Sequence, residues 1–259
     1  MHEANAITVI AYRDLLKFLR DPPRLVSTLI FPLIFIGILG GSFQSSLGDQ
    51  VDFNYLTFIF TGILAQTLFQ SSAIGVISLI EDRENDFSQE IFVAPVSRYS
   101  IIIGKIFGET FVSMAQGLGI LVFAVIIGIQ VSLTQALVLI PVCWIVCFFG
   151  GAFGVIIMSN LNSQRAANQV FPFIMLPQFF LAGIFAPINN LPWFLNLLSL
   201  ISPMRYAVDF VRAVLYKGSP DYSQVVINNA AINFIIIAVL FGLFLIVGTF
   251  LFVRRERNR

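Results

Sequence analysis

The stretch EDRENDFSQEIFVAPVSR, from Glu81 to Arg98, holds seven charged side chains, five of them acidic, in eighteen positions. An apolar run ends just before it at Ile80 and another starts just after it at Ile101. So abrupt a change of polarity reads as a water-facing segment between two segments that belong in lipid. The rest of the chain is of the same kind: 58% of its 259 residues are apolar, 11% are charged, 28 are Phe, and the mean hydropathy is +0.89. A soluble globule of that composition would expose large apolar patches. The chain is therefore read as an all-α integral membrane protein, a single transmembrane domain over residues 1–259.

Six runs are long and apolar enough to cross a bilayer: 25–43, 55–80, 101–129, 133–158, 169–186 and 232–253. Ahead of them, AITVIAYRDLLKFLRDPP sets Ile7, Ala11, Leu15 and Phe18 on one helical face and Arg13, Lys17 and Arg20 on another. That pattern predicts an amphipathic helix within 1–24, lying in the membrane interface and ended by Pro22 and Pro23. Charges interrupt every candidate signal-peptide core, so the amino terminus is expected to be retained.

Orientation follows the basic residues. With a cytoplasmic amino terminus, twelve of the fifteen Lys and Arg lie inside or at the inner interface. Only Arg205, Arg212 and Lys217 fall outside. Both termini are then cytoplasmic, the membrane is the cell membrane, and the charged segment 81–100 faces the cytosol.

Between the fifth and sixth runs, residues 187–218 contain two short helical pieces with their own punctuation. Asn190 and Pro192 open the first, Ser202 and Pro203 open the second, and Gly218 stops it. Neither is long enough to cross, so they are expected to form an outer re-entrant hairpin or two helices on the surface. Arg205, Asp209 and Arg212 recur at i, i+4 and i+7, a spacing that lets them pair on one exposed face.

Residues that would do covalent chemistry are scarce. His2 is the single histidine, Cys143 and Cys147 sit in an apolar run, and no Walker A motif occurs. No metal or cofactor is expected on this chain, and the net charge of +1 carries no footprint for nucleic acid. Glu109 is the one acid within an expected span, with Lys105 at i−4; a mutual ion pair is the simplest account and a proton relay the alternative. Gly104-x-x-x-Gly108 and Gly150-x-x-x-Gly154 are close-packing signals between helices. In the second run Gln66 and Gln70 share a face, with Thr67 and Ser71 beside them. Such a stripe either bonds neighbouring helices or faces a substrate pathway, joined there by Gln178.

A charged segment followed by APVSRYSIIIGK (Ala94 to Lys105), six runs, and then LAGIFAPINNLPWFLNLLSLISPMRYAVDFVRAVL (Leu181 to Leu215) resembles the membrane permease of type-2 ABC exporters over essentially the whole chain. The resemblance implies a non-catalytic subunit that exports a drug, lipid or glycoconjugate. It implies two permease copies, a separate ABC ATPase subunit carrying ATP and magnesium, and contact with membrane lipid. It also implies that the cytosolic segment docks on the ATPase. There Glu81, Asp82, Glu84, Asp86, Glu90 and Arg98 would supply charge, and Phe87, Ile91 and Phe92 apolar anchors. The family's Glu-x-Gly-Thr is here Glu84-Asn85-Asp86-Phe87, a departure within the docking segment. A proton-coupled carrier and an intramembrane enzyme are the competing classes; the first wants more intramembrane acids, the second a nucleophile with its base.

Overall fold

The computed structural model describes residues 2–48, 53–84 and 97–257. Every regular element among them is helical. In chain order these are α1 (His2–Leu19), α2 (Pro22–Ile34), a π-helical stretch (Phe35–Gly40), α3 (Gly41–Leu47), α4 (Tyr55–Ile77), α5 (Leu79–Glu84) and α6 (Arg98–Ile126). They continue with α7 (Leu133–Asn160), α8 (Gln164–Leu181), α9 (Trp193–Ile201), α10 (Pro203–Leu215), α11 (Tyr222–Val225) and α12 (Ala230–Arg257). Five helical stretches are long and apolar enough to span a membrane: Pro22–Ser46, Tyr55–Asp82, Arg98–Ile126, Leu133–Asn160 and Tyr222–Arg255. They cover five of the six expected runs. Over the remaining run, 169–186, the chain forms α8 from Gln164, whose early Gln164, Arg165 and Asn168 dilute its apolar content.

Local chemistry places the helix ends. Asn54, Ser97 and Ser163 accept from the amides of Thr57, Ser100 and Ala166, and Ser132 with Gln135 completes a reciprocal cap on α7. Pro22 and Pro23 do not merely end α1: Asp21 caps the Arg24 amide and the two prolines start α2. Ser202 precedes α10, but its hydroxyl donates to Gln178 rather than capping the helix. Gly218, at φ +84°, turns the chain after α10 as its position suggested.

The core is organised around α4. The apolar window of its span is 78% buried against 17% for those of the first and last spans, which leaves those two the most exposed. On α7, a Cβ at Gly150 would lie 2.2 Å from the Phe69 carbonyl oxygen and one at Gly154 2.5 Å from that of Ala73, so only glycine permits this backbone approach to α4. Gly104 and Gly108 do the same on α6, where the α1 backbone at Ile7 and Ala11 comes within 3.2 Å and 3.0 Å of where Cβ would stand. The amphipathic helix is thereby docked on α6 through Ala11 and Asp14, and Phe18 is buried beneath Arg24 of α2, while Val9 and Tyr12 stay exposed. Cys143 and Cys147 are free thiols buried in α7.

Candidate functional site

Gln66, Thr67, Gln70 and Ser71 line one wall of a cleft of 390 Å³, faced by Arg24, Ser27, Thr28 and Phe31 of α2. Gln116 of α6 and Phe179 of α8 close its sides. The stripe divides its duties: the Gln66 amide nitrogen donates to the Gln70 oxygen at 2.5 Å, while Ser71 remains partly exposed to the cleft. The buried Thr67 hydroxyl has no hydrogen-bond partner among the described residues. Arg24 is the one charged residue of the lining. Gln178 does not join this wall. Its amide oxygen accepts from the Ser202 hydroxyl and the Met204 amide, both at 3.3 Å, which ties α8 to the start of α10.

At the root of the charged segment, buried ions are matched by ions. The Lys105 ammonium lies 2.9 Å from Glu109, 3.0 Å from Asp14 and 3.8 Å from Asp82. Arg13 bridges Asp14 at 2.8 Å and Asp82 at 3.2 Å. The expected Lys105–Glu109 pair is thus one edge of a five-member cluster joining α1, α5 and α6. Burial alone would lower the Arg13 guanidinium, but Asp14 and Asp82 carry it above its ordinary value. Gly75 makes room for the Glu109 carboxyl, since a Cβ there would stand 1.9 Å from its Oε2. Asp82, expected among the docking charges, is instead committed largely to this cluster. Glu81 is exposed and Arg98 half-buried at the start of α6. The backbone of Glu84 closes α5, whereas Asp86, Phe87, Glu90, Ile91 and Phe92 lie outside the described residues.

The charges of α10 correct the expected exposed pairing. Arg205, Asp209 and Arg212 are all buried, and no ion pair among the described residues joins Asp209 to either arginine. Asp209 accepts from the Ile227 amide at 2.8 Å, the Asn228 amide at 2.7 Å and the Asn233 side chain at 2.8 Å. Arg205 donates to Ser199 at 2.9 Å and Asn196 at 3.3 Å on α9. Arg212 stacks 3.7 Å above the Phe58 ring and donates to the carbonyls of Phe58 and Ile184. One helical face therefore ties α10 to three different neighbours. Sequence spacing found the three residues but not their partners, because a helix wheel contains only its own helix. Asp14, Gln116 and Arg24 were not singled out as site residues; the signal available for Asp14 was an acid on the otherwise apolar Ala11–Phe18 face of α1.

The chain is 29% identical over 215 residues to the transport permease ycf38 of Cyanophora paradoxa, covering 82% of this chain and 74% of that one. It is 28% identical over 198 residues to the inner membrane transport permease YadH of Escherichia coli K12, covering 74% and 73%. It is also 25% identical over 169 residues to a protein of the same organism named "Probable multidrug ABC transporter permease YbhR", covering 64% of this chain and 45% of the relative. Permeases of this kind are the non-catalytic membrane subunits of ABC transporters, and they imply an ABC ATPase as partner. Residues 5–216 match the model for the ABC-2 type transporter, and with five apolar spans, that of α4 the most buried among them, this chain belongs to that family as a multi-pass membrane transport permease.

Proposed function

We propose that the chain is the membrane half of an ATP-driven exporter that moves a hydrophobic or amphipathic compound, a drug, lipid or glycoconjugate, out of the cytoplasm. The observation that carries this reading is the cleft between α2 and α4, where polar groups stand in line with aromatic ones. In this reading two copies face each other across α2, α4 and α8, lipid covers the outer apolar faces, and α8 crosses as a sixth span. The helices α9 and α10 form a hairpin dipping from the outer side, and both termini are cytoplasmic. Efflux of a toxic substrate would give drug resistance.

Coupling runs through the segment that leaves α5. An ATPase seated on Phe87, Ile91 and Phe92, with acids at the rim, would pull on Asp82, and the cluster with Arg13 and Lys105 would pass the movement to α1 and α6. Truncating a buried aromatic anchor costs about 2 kcal/mol or more in an interface, roughly thirtyfold in affinity. Phe87→Ala with Ile91→Ala should therefore lose the ATPase in a pull-down from membranes and stop export, while Glu84→Ala gives a milder, salt-sensitive defect. A double variant that retains the ATPase and exports normally would refute the docking surface. A wild-type permease that copurifies with no ATPase would refute the exporter reading.

A further inference from the structure

From the cleft lining we infer that the compound it takes is an amphiphile with an anionic headgroup, a phosphate or carboxylate, and that Arg24 selects it. This rests on the reading of the cleft as part of the substrate path and narrows the substrate within it. Arg24 is the one charged residue of the lining among the described residues, and while its backbone amide is capped by Asp21, its guanidinium has no carboxylate partner among them. Its guanidinium sits 5.5 Å from the ring centre of Phe18, itself fully buried, so an aromatic floor holds the cation in place without neutralising it. Arginine in such a seat offers a planar fork of donors that matches a phosphate or carboxylate.

A second feature points to the same ligand. Thr67, 7% exposed, lines the cleft, and its own buried hydroxyl lacks a partner among the described residues, which a buried polar group tolerates poorly unless something else fills that role. A turn of that side chain toward the cleft lets an anionic oxygen accept from it. The hydroxyl of Ser71 adds a donor, the Ser27 and Thr28 hydroxyls being already donated to backbone carbonyls of α2, while Phe31, Ile74 and Phe179 supply an apolar wall for a chain. The nearby carboxylate of Glu109 is already held by Lys105 at 2.9 Å and lies behind Gly75 rather than in the lining. At 390 Å³ the cleft is in the range that holds a headgroup with part of its tail.

The test reads occupancy, not export. Full-length chain carrying Ser71→Cys is placed in nanodiscs of zwitterionic lipid and labelled with a maleimide, the buried Cys143 and Cys147 contributing little background. Dodecyl phosphate should slow labelling at a mole fraction about tenfold or more below that needed of dodecyl maltoside. Arg24→Gln should erase that difference, Arg24→Lys should keep part of it, and high salt should shrink it in the unaltered cleft. Inorganic phosphate alone should not protect, and protection by it would assign the site to a free anion. Equal protection by phosphate and maltoside, or a preference that survives Arg24→Gln, overturns the anionic selection and leaves the path intact. Protection by no amphiphile overturns the path reading together with it.

Discussion

The two ends of this permease bury charge in opposite ways. At the end where α1, α5 and α6 meet, Lys105, Glu109, Asp14, Asp82 and Arg13 neutralise one another directly. At the α10 end Asp209 is satisfied by two backbone amides and one side-chain amide, and Arg212 by carbonyls and a ring. Identical helical spacing, i and i+4, underlies Lys105–Glu109 and Arg205–Asp209. The first closes because α1 and α5 crowd further acids around the lysine. The second stays open because the segment ahead of α12 brings two backbone amides within 2.8 Å of Asp209. What decides between pairing and local solvation is the set of partners delivered by other elements, not the spacing.

Removing the cation at the α1–α5–α6 end should have the largest effect. Lys105→Met leaves Asp14 and Glu109 buried without their shared partner, a loss of about 3–5 kcal/mol. Adding Glu109→Gln should return a measurable part of it, seen as a partial recovery of thermal stability in detergent. No recovery would mean that the cluster is not an electrostatic unit. At the α10 end Asp209→Ala strands three donors and should cost about 2–4 kcal/mol, and Arg205→Ala, which gives up two bonds to α9, about 1–2 kcal/mol.

The sharper contrast lies in the double-mutant cycles. Lys105 and Glu109 should couple by about 1 kcal/mol or more, whereas Arg205 and Asp209 should be additive within about 0.5 kcal/mol. Strong coupling between Arg205 and Asp209 would restore the simple helix-wheel account and remove the difference between the ends.

The smallest expected effect is at the exposed tether of α1. Glu3 accepts from the Ser97 amide and hydroxyl, and hydrogen bonds from Ser100 and the Ser97 amide hold its carboxyl below its ordinary value. A lowered carboxyl stabilises the fold above its unfolded pKa and stops doing so as pH falls through its folded one. Glu3→Gln should therefore melt slightly below wild type at neutral pH, with the gap closing in acid. A gap that persists in acid would show that the tether does not depend on the charge.

Read alone, the sequence determined the solvent, the helical class, the approximate spans and the family likeness. These depend on run length, composition and short-range punctuation, which are written along the chain. It also located the glycine pairs on α6 and α7 and the Lys105–Glu109 pair, because small residues and opposite charges at helical spacing have few other uses in an apolar span. Tertiary structure alone decided that Gln178 serves α10 rather than the cleft, that Asp82 turns toward Lys105, that Arg24 and Thr67 share a cleft with the glutamine stripe, and that Asp209 takes backbone amides in place of arginine. Each of those outcomes turns on groups brought together from distant parts of the chain. A periodic pattern reports which face a side chain occupies, whereas its partner is set by how the helices cross.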